Sequence, residues 1–439
     1  MNRTVRPIEQ KAMTGFAKAW AFALLILYLW GHFTFLLLLR EWSPRRYSIL
    51  LARLLTLVKV LRHNKVMRIN GTYKFELYLP AFPTPAFFHA IKKYDPATRD
   101  PAALTVVLSM TKACGYRCPH CYQRWDHGKE VEIGRLRGVV REMQAMGVAT
   151  FDIEGGEPML RFERLCELLG AFDERAELWV NTTGHRLTRE KAQRLRELGV
   201  FGVYVSLHSA DAEVHDGFTG REGAFETACE AIQLLHEVGI ATAVNYCASA
   251  ADVAEDGVHR LFALARDLGC AFVQVIHGKP SGAWLDRPEA LRRDSHLVRR
   301  LARMHLEYNC GRARRGYPSL AVQVFEESPR AFGCTAGGVE RFYLNHAGEV
   351  QPCEFLNVSF GNVTEEPFPA IFRRMRSYFE TPGTDWLCCT QSPGIAERVR
   401  GGKQTPLPAS ETTTLVRGWS RGEPTRLYRR LRLYGSDAP

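Results

Sequence analysis

The middle of the chain alternates between short apolar segments and longer segments with helical spacing of apolar residues, at a period of about 30 residues. The expected strands are 104–110, 148–153, 177–181, 201–207, 241–246 and 271–276, and the expected helices are 131–146, 160–170, 188–198, 223–238, 257–268 and 290–307. Because regular βα alternation produces a parallel sheet, this pattern predicts an α/β fold of six βα units. An open doubly wound sheet and a partial barrel both fit, and in either one the functional residues belong at the C-terminal ends of the strands.

A long apolar segment precedes this body. Residues 19–39 contain no formal charge over 21 positions, and a helix of that length spans roughly 30 Å of hydrocarbon. A signal peptide is the alternative, but the apolar segment is longer than usual and no small-x-small cleavage site follows it. We therefore expect an N-terminal membrane helix.

A second apolar stretch, residues 47–63, contains Arg53, Lys59 and Arg62 at spacings that suit an amphipathic helix. Three interpretations remain open for it. It could lie on the membrane surface, pack on the catalytic body, or form with the first segment a re-entrant hairpin that does not cross.

Positive charge is concentrated at the two ends of the chain. The net charge is +11, whereas residues 69–399 carry 38 basic and 42 acidic side chains. A body without excess positive charge argues against nucleic-acid binding, and basic ends suit anionic lipid headgroups. Seven basic residues follow the first apolar segment and four precede it, so we expect the inner (cytoplasmic) membrane, with the catalytic domain facing the cytoplasm.

Three cysteines follow the first expected strand directly. Cys114, Cys118 and Cys121 have the spacing C-x3-C-x2-C, which can bring three thiolates to one iron–sulfur cluster. A cubane has four irons, so three cysteines leave one iron open to a small molecule. Structural zinc, with His120 or His127 as the fourth ligand, is the alternative.

The motif Cys-x3-Cys-x-aromatic-Cys, with His120 in the aromatic position, resembles the signature of the radical S-adenosylmethionine (radical SAM) superfamily, and the resemblance covers roughly residues 100–285. It implies a partial (β/α)6 TIM-like barrel with a 4Fe-4S cluster on the three cysteines. It also implies S-adenosylmethionine as cofactor and a flavodoxin- or ferredoxin-like electron donor. The implied reaction is reductive cleavage to a 5′-deoxyadenosyl radical that abstracts hydrogen from a substrate.

The turn Gly155-Gly156-Glu157-Pro158 ends the second expected strand, where the family contacts the amino group of the cofactor's methionine. Its glycines allow close approach and its carboxylate can offset the ammonium charge. For Ser206 and Asn245, the alternative is an ordinary polar residue at the edge of the barrel. The implied cofactor contacts are His120, Gly155, Gly156, Glu157, Pro158, Ser206 and Asn245.

The C-terminal cysteines form a second pattern. Cys334, Gly348 and Cys353 have the spacing C-x13-G-x4-C around an expected hairpin, which resembles the opening of SPASM and Twitch auxiliary-cluster extensions. The resemblance implies one auxiliary cluster on Cys334, Cys353 and either Cys388 or Cys389, with Cys310 or a substrate group as a candidate fourth ligand. The alternative is a degenerate extension with idle thiols.

The expected organisation has five parts. These are an anchor with an amphipathic helix (1–68), a lead-in (69–100), the partial barrel (101–310), a small auxiliary-cluster domain (311–399) and a basic tail (400–439). Residues 424–434 in the tail could form a short basic helix with Leu427, Leu431 and Tyr434 on one face. That helix would be either a second membrane contact or a solvated tail.

Three functional hypotheses follow. The first is a radical enzyme that acts on a membrane lipid or lipid-linked intermediate, since a tether raises the local concentration of a catalytic body near bilayer substrates. The second is a maturase of a ribosomal peptide or protein. The third is a non-catalytic iron–sulfur or zinc scaffold at the membrane, against which the intact Gly-Gly-Glu-Pro turn argues.

Overall fold

The computed structural model describes residues 6–248, 256–285, 296–399, 402 and 404–434. Strands β1 (Gln10–Met13), β2 (Val66–Ile69) and β3 (Thr72–Lys74) form a small antiparallel sheet. The central sheet contains β4 (Thr105–Ser109), β5 (Thr150–Glu154), β6 (Glu177–Thr182), β7 (Val200–Ser206), β8 (Ala241–Ala248), β9 (Phe272–His277), β10 (Ser319–Val322), β11 (Arg341–Leu344) and β12 (Val350–Gln351).

The helices of the described residues lie mainly between these strands. They are α1 (Gly15–Leu38), α2 (Pro44–Leu61), α3 (Pro85–Ile91), α4 (Ile133–Met146), α5 (Phe162–Leu169), α6 (Arg189–Glu197), α7 (Ala212–Thr219), α8 (Ala224–Glu237), α9 (Gly257–Asp267), α10 (His296–Cys310), α11 (Gln323–Glu326), α12 (Phe368–Tyr378), α13 (Leu387–Val399), α14 (Ala409–Val416) and α15 (Arg426–Leu431).

The predicted α/β class is confirmed. The six expected strands are β4 to β9, and each agrees with the expectation to within two residues at either end. The sixth expected helix is α10, and its predicted first six positions, 290–295, lie outside the described residues. The strand order is β10-β9-β8-β7-β6-β5-β4-β11-β12, and within the described residues the two edges do not pair, so the barrel is partial.

Two further strands flank the predicted six. β10 pairs in parallel with β9, and β11 pairs in parallel with β4. The hairpin that the sequence suggested for the C-terminal extension is β11 and β12, so this extension continues the central sheet. The first strand of this hairpin, β11, thereby lies next to β4, the strand that leads into the first cysteine motif.

Burial on both faces explains why the strands contain continuous apolar runs. All five residues of β4 and of β5 are buried, because helices cover the outside and polar side chains fill part of the inside. Lys74 is completely buried inside the N-terminal end of the sheet, where its ammonium pairs with Glu177. Glu177 also accepts hydrogen bonds from Ala81 N (2.7 Å) and Trp179 Nε1 (2.9 Å).

Helix α1 packs on the body through one stripe and leaves the rest of its surface uncovered. It is the helix of the described residues that is long and apolar enough to cross a membrane. Its buried side chains recur every four residues: Ala21, Leu25, Leu29 and Phe33. Its exposed apolar side chains are Phe16, Trp20, Leu27, Tyr28, Trp30, Phe35 and Leu38.

The C-terminal helix α15 lies against α2. Arg53 of α2 donates hydrogen bonds to the carbonyls of Leu431 (2.6 Å) and Arg432 (2.6 Å). Leu427 and Leu431 are buried, which rules out a solvated tail for this helix. The packing also establishes that α2 rests on the body, as one of its open interpretations expected.

The Lys74–Glu177 pair should be a large contribution to stability. In a Lys74→Met variant the Glu177 carboxylate stays buried without its counter-charge, so we expect unfolding free energy to fall by about 3–5 kcal/mol. Arg189→Met removes the exposed pair with Glu237 and should cost about 1 kcal/mol or less. Urea unfolding of both variants measures the difference, and equal losses would contradict the assigned role of the buried pair.

Candidate active site

The predicted cysteines converge on a cavity at the C-terminal ends of the strands. Cys114, Cys118 and Cys121 all line this cavity, whose volume is about 320 Å³. The Cys114 sulfur accepts a hydrogen bond from Tyr116 N (3.4 Å), and the Cys118 sulfur lies 3.8 Å from the carbonyl oxygen of Thr219. The loop that follows β4 thus presents three sulfurs to one space.

Burial keeps these sulfurs protonated until a cation arrives. Burial raises the pKa of Cys118 to about 12 and that of Cys121 to about 11, and the charges of the neighbouring cysteines add to the shift. An iron centre would supply the positive charge that turns such thiols into thiolate ligands.

The donor set of the loop suits iron and sulfide. Cys114, Cys118 and Cys121 bring three thiols to one cavity, and each thiolate of a cubane binds a different iron. Three cysteines would leave the fourth iron open to a small molecule, so the residues present fit a 4Fe-4S cluster.

The two glycines of the predicted turn carry the cysteine loop. Gly156 N donates to Thr111 O (2.7 Å), and Glu157 N donates to Ala113 O (2.7 Å). A Cβ on Gly155 would lie 2.6 Å from Thr111 O, and one on Gly156 would lie 2.6 Å from Lys112 O. Glycine is needed here because the backbone of the loop touches the backbone of the turn.

Glu157 is engaged within the protein. Its carboxylate accepts hydrogen bonds from Thr182 Oγ1 (2.7 Å), Thr183 N (2.7 Å), Thr183 Oγ1 (2.6 Å) and Met159 N (3.0 Å). Gly155 and Gly156 line the cavity, whereas Pro158 is buried at the start of a short helical turn. In this conformation Glu157 fixes the end of β6 beside the turn, and its contact with a cofactor ammonium stays a prediction.

Polar side chains at the ends of the next strands face the same cavity. Ser206 of β7 and Asn245 of β8 are register partners, and both line the cavity together with Asn181 of β6. The Asn181 Oδ1 atom is buried and has no hydrogen-bond partner among the described residues. An unpaired buried carbonyl oxygen is costly, so its presence at the cavity wall fits a polar ligand such as S-adenosylmethionine.

Aromatic rings close one side of the cysteine loop. His120 stacks on Phe218 with ring centroids 4.6 Å apart and meets His208 edge to face at 4.9 Å. Burial lowers the pKa of His120 to about 4, so this ring is neutral at physiological pH. Its position between Cys118 and Cys121, packed on other rings, lets it exclude water from the cavity.

The C-terminal cysteines also come together. Cys334 and Cys353 are each close enough to Cys388 for their charges to interact, and the Cys389 sulfur lies 4.0 Å from that of Cys388. Contact between these two thiols lowers the pKa of Cys388 and raises that of Cys389. Cys310 is elsewhere, near the carbonyl of His63, and so is a poor candidate for the fourth ligand.

The cavity wall includes residues that the sequence patterns did not single out. Tyr122 and Gln123 both donate to the carboxylate of Glu154, the last residue of β5. His277, Lys279 and Trp284 follow or end β9 and also line the cavity. Their only sequence signal was position at the end of an expected strand, where functional residues of such folds concentrate.

Comparisons with known sequences agree with this geometry. Residues 108–248 match the Radical SAM superfamily. The AdoMet-dependent heme synthase of Nitratidesulfovibrio vulgaris is 26% identical over 302 residues, which cover 63% of this chain and 81% of the relative. The PqqA peptide cyclase of Gluconobacter oxydans is 26% identical over 294 residues, which cover 65% of this chain and 80% of the relative.

Solved structures share the fold. Streptococcus suis SuiB bound to S-adenosylmethionine has a TM-score of 0.53 at 15% identity, covering 65% of this chain and 70% of its own. SuiB bound to its precursor peptide SuiA has a TM-score of 0.52 at 17% identity, covering 66% and 70%. At these identities the likeness describes the fold alone.

The contact between loop and turn yields a test of cluster assembly. A Gly156→Ala variant should displace the cysteine loop, because the added methyl group meets backbone atoms that cannot move aside cheaply. We expect iron and sulfide content after anaerobic reconstitution to fall at least several-fold. Gly217→Ala, at a helical glycine with open space around it, is the matched control. Full iron loading of Gly156→Ala would show that the contact does not position the loop.

Proposed function

Because this chain belongs to the radical SAM superfamily and is an enzyme that uses a 4Fe-4S cluster and S-adenosylmethionine, we propose that Cys114, Cys118 and Cys121 are the ligands of that cluster. One observation carries the assignment. The three sulfurs line a single cavity with the glycine turn and with the unpaired Asn181 oxygen. A cluster and a polar cofactor can therefore occupy adjoining parts of one space.

When bound, the cluster and cofactor supply one-electron cleavage to methionine and a 5′-deoxyadenosyl radical that takes a hydrogen atom from the substrate. The protein's own part is positional. Gly155 and Gly156 bring the backbone to the cofactor's methionine, and Asn181, Ser206 and Asn245 offer polar atoms to the rest of it. A flavodoxin- or ferredoxin-like protein is the proposed electron donor.

We further propose one auxiliary cluster on Cys334, Cys353 and Cys388 or Cys389. The support is the electrostatic proximity of these sulfurs and the lowered pKa of Cys388, which favours a thiolate. Membership of an enzyme superfamily leaves no support for a purely structural iron–sulfur or zinc scaffold.

For the substrate, we propose a membrane lipid or lipid-linked intermediate. The observation that supports a lipid substrate is a second cavity of about 120 Å³, which lies between α1, α2, α3 and the N-terminal end of the sheet. Most of its wall is apolar and includes Leu25, Leu29, Leu54, Leu57, Val58, Leu61, Phe75, Leu79, Phe87 and Ile91, while Glu76, Gln323, Glu326, Glu327, Glu340 and Arg341 line its polar side. An apolar cavity of this order, about 150 Å³, is known to stay dry and to take an apolar ligand. Part of a lipid tail is such a ligand.

The two cavities lie at opposite ends of the central sheet. Arg341 lines the apolar cavity and lies 3.5 Å from the carboxylate of Glu354, and the next residue, Phe355, lines the cavity of the cysteine loop. A lipid whose tail lay beside α1 and α2 would therefore need its linked head group to extend along the inside of the partial barrel to reach the cysteine loop.

We propose that α1 lies in the cytoplasmic leaflet of the inner membrane and does not span the membrane as a single helix. Its buried stripe stays on the body, while its exposed face offers Trp20, Leu27, Trp30 and Phe35 to lipid. Exposed Lys11, Arg40 and Arg45 flank the helix and suit anionic headgroups. This arrangement leaves the catalytic body on the cytoplasmic side of the membrane.

A ribosomal peptide is the second candidate substrate. Two similar proteins favour it, because one is named a PqqA peptide cyclase and the other, SuiB, was solved with its precursor peptide SuiA. The apolar cavity and the exposed face of α1 have no role in this alternative.

The reaction class is tested by cofactor cleavage. Reconstituted wild-type protein, given dithionite and S-adenosylmethionine without oxygen, should release 5′-deoxyadenosine, measured by chromatography and mass spectrometry. Cys118→Ala should release none above background, because the cluster loses a ligand. Cys166→Ala, on α5 away from the cavity, should match the wild type. Equal release by both variants would refute the assignment of the cysteine loop.

The membrane proposal is tested on the exposed face of α1. A Leu27→Asp, Trp30→Asp double variant should lose more than tenfold in binding to phosphatidylglycerol-containing vesicles, since each charge in the apolar layer costs about 2.5–3.5 kcal/mol. Val214→Asp with Leu306→Asp, two apolar residues exposed elsewhere, is the matched control. Co-sedimentation measures binding.

Lipid profiles connect this test to the substrate. A deletion strain should lack a lipid or accumulate its precursor, and the α1 double variant should fail to restore the parent profile. An unchanged lipid profile with a changed cellular peptide would favour the second candidate. Vesicle binding that is the same for wild type and both double variants would contradict the role of α1.

A further inference from the structure

The segment after β9 places a positive charge inside the active-site cavity. β9 ends at His277, and Gly278-Lys279 follows. Lys279 is 5% exposed, and its side chain lines the cavity that also contains the three cysteines of the loop. Its ammonium lies over the ring of Trp386 (5.1 Å) and near that of Phe355 (5.8 Å).

The ammonium of Lys279 has no hydrogen-bond acceptor among the residues that the structure describes. The nearest carboxylate with which it interacts, that of Glu327, is already bound by Arg341 (2.6 Å) and Gln323 (3.1 Å). The N–H donors of Lys279 are therefore unused within the described residues, although the side chain is buried.

Two further unused groups lie in the same wall. Both ring nitrogens of His277 and the Nε1 of Trp284 are buried without partners in the described part of the chain. Burial lowers the pKa of His277 well below its ordinary value, so its neutral ring offers one donor and one acceptor. Lys279, His277 and Trp284 thus all have unsatisfied hydrogen-bonding groups at one cavity, within the described residues.

Packing holds these donors in place. The ring of His277 lies 5.1 Å from that of Trp386, the same ring that Lys279 covers. Trp284 packs on Gly278, where an added Cβ would lie 2.6 Å from its ring. Lys279 and its neighbours are consequently preorganised rather than flexible surface groups.

We propose that Lys279, with His277 and Trp284, binds an anionic group of the substrate, a carboxylate or a phosphate, inside the active-site cavity. Charge-assisted hydrogen bonds to such a group would satisfy donors that are otherwise costly to bury. The anion would anchor the substrate so that its reacting carbon faces the cysteine loop. This inference rests on the proposed radical chemistry and holds for either candidate substrate.

The binding test uses simple anions on the full-length, anaerobically reconstituted protein, unreduced and saturated with S-adenosylmethionine. Calorimetric titration with sodium acetate and with sodium phosphate, against sodium chloride as the control, should detect saturable binding of at least one anion. Preference for acetate would indicate a carboxylate, such as one in a peptide or fatty acid. Preference for phosphate would indicate a phosphate-bearing head group.

Lys279→Met should weaken that binding about tenfold or more, the size expected for losing a charged hydrogen-bond partner. Lys279→Arg, which keeps the charge, should retain part of it. Lys191→Met, which removes an ammonium bound to the carbonyls of Met159 and Arg186 outside the cavity, should bind as the wild type does. Iron content is measured for each variant.

Release of 5′-deoxyadenosine is the second measurement, and it separates anion binding by Lys279 from the radical chemistry. Lys279→Met should lose anion binding by a larger factor than it loses 5′-deoxyadenosine release with dithionite, because the proposed cofactor contacts Gly155, Gly156, Ser206 and Asn245 are unchanged in it. A loss of cofactor cleavage or of iron as large as the loss of anion binding would overturn the proposal and assign the lysine to the cofactor or to a cluster. Absence of anion binding by the wild type, or equal binding by Lys279→Met, would also overturn it. Absence of cleavage by the wild type would refute the radical chemistry itself.

Discussion

The backbone contact between the cysteine loop and the turn after β5 is the constraint on which the site depends. The backbone N–H groups of Gly156 and Glu157 donate two hydrogen bonds that hold the loop. A side chain at Gly155 or Gly156 would have no room, because the backbone of the turn touches the backbone of the loop. Because the loop is already fixed, it would lose little conformational entropy if its three sulfurs bound iron. Glu157 extends the same constraint to β6 through Thr182 and Thr183. Adjacent strands β4, β5 and β6 thus act as one support.

Two of the buried charge groups differ in whether the protein itself satisfies them. At the N-terminal end of the sheet, Lys74 and Glu177 neutralise each other. Nearer the C-terminal extension, Arg341 bridges Glu327 and Glu354, while Lys279 remains without an acceptor in the described structure. The first group is satisfied and contributes stability. The second is incomplete, as expected of a wall that meets a ligand.

Local patterns predicted much of the molecule because they reflect local physics. Strands β4 to β9 and helices α4 to α6 and α8 to α10 follow from apolar spacing, and the cysteine loop and glycine turn follow from motifs at strand ends. Helix α7 was not predicted. The pairing of β11 with β4 and the docking of α15 on α2 depend on contacts between residues far apart in sequence. The internal use of Glu157 and the burial of Lys279 likewise required the packed structure. Their burial has no sequence signal, since glutamate and lysine residues are normally exposed.

Electron paramagnetic resonance of the reduced, anaerobically reconstituted protein tests whether the cysteine loop holds the cluster. We expect a 4Fe-4S signal whose shape changes when S-adenosylmethionine is added, because one iron would lack a protein ligand. That cofactor-sensitive signal should vanish when Cys114, Cys118 and Cys121 are all replaced by alanine, with any auxiliary signal left in place. A cofactor-sensitive signal that persists in the triple variant, or a wild-type spectrum that does not respond to the cofactor, would contradict this assignment.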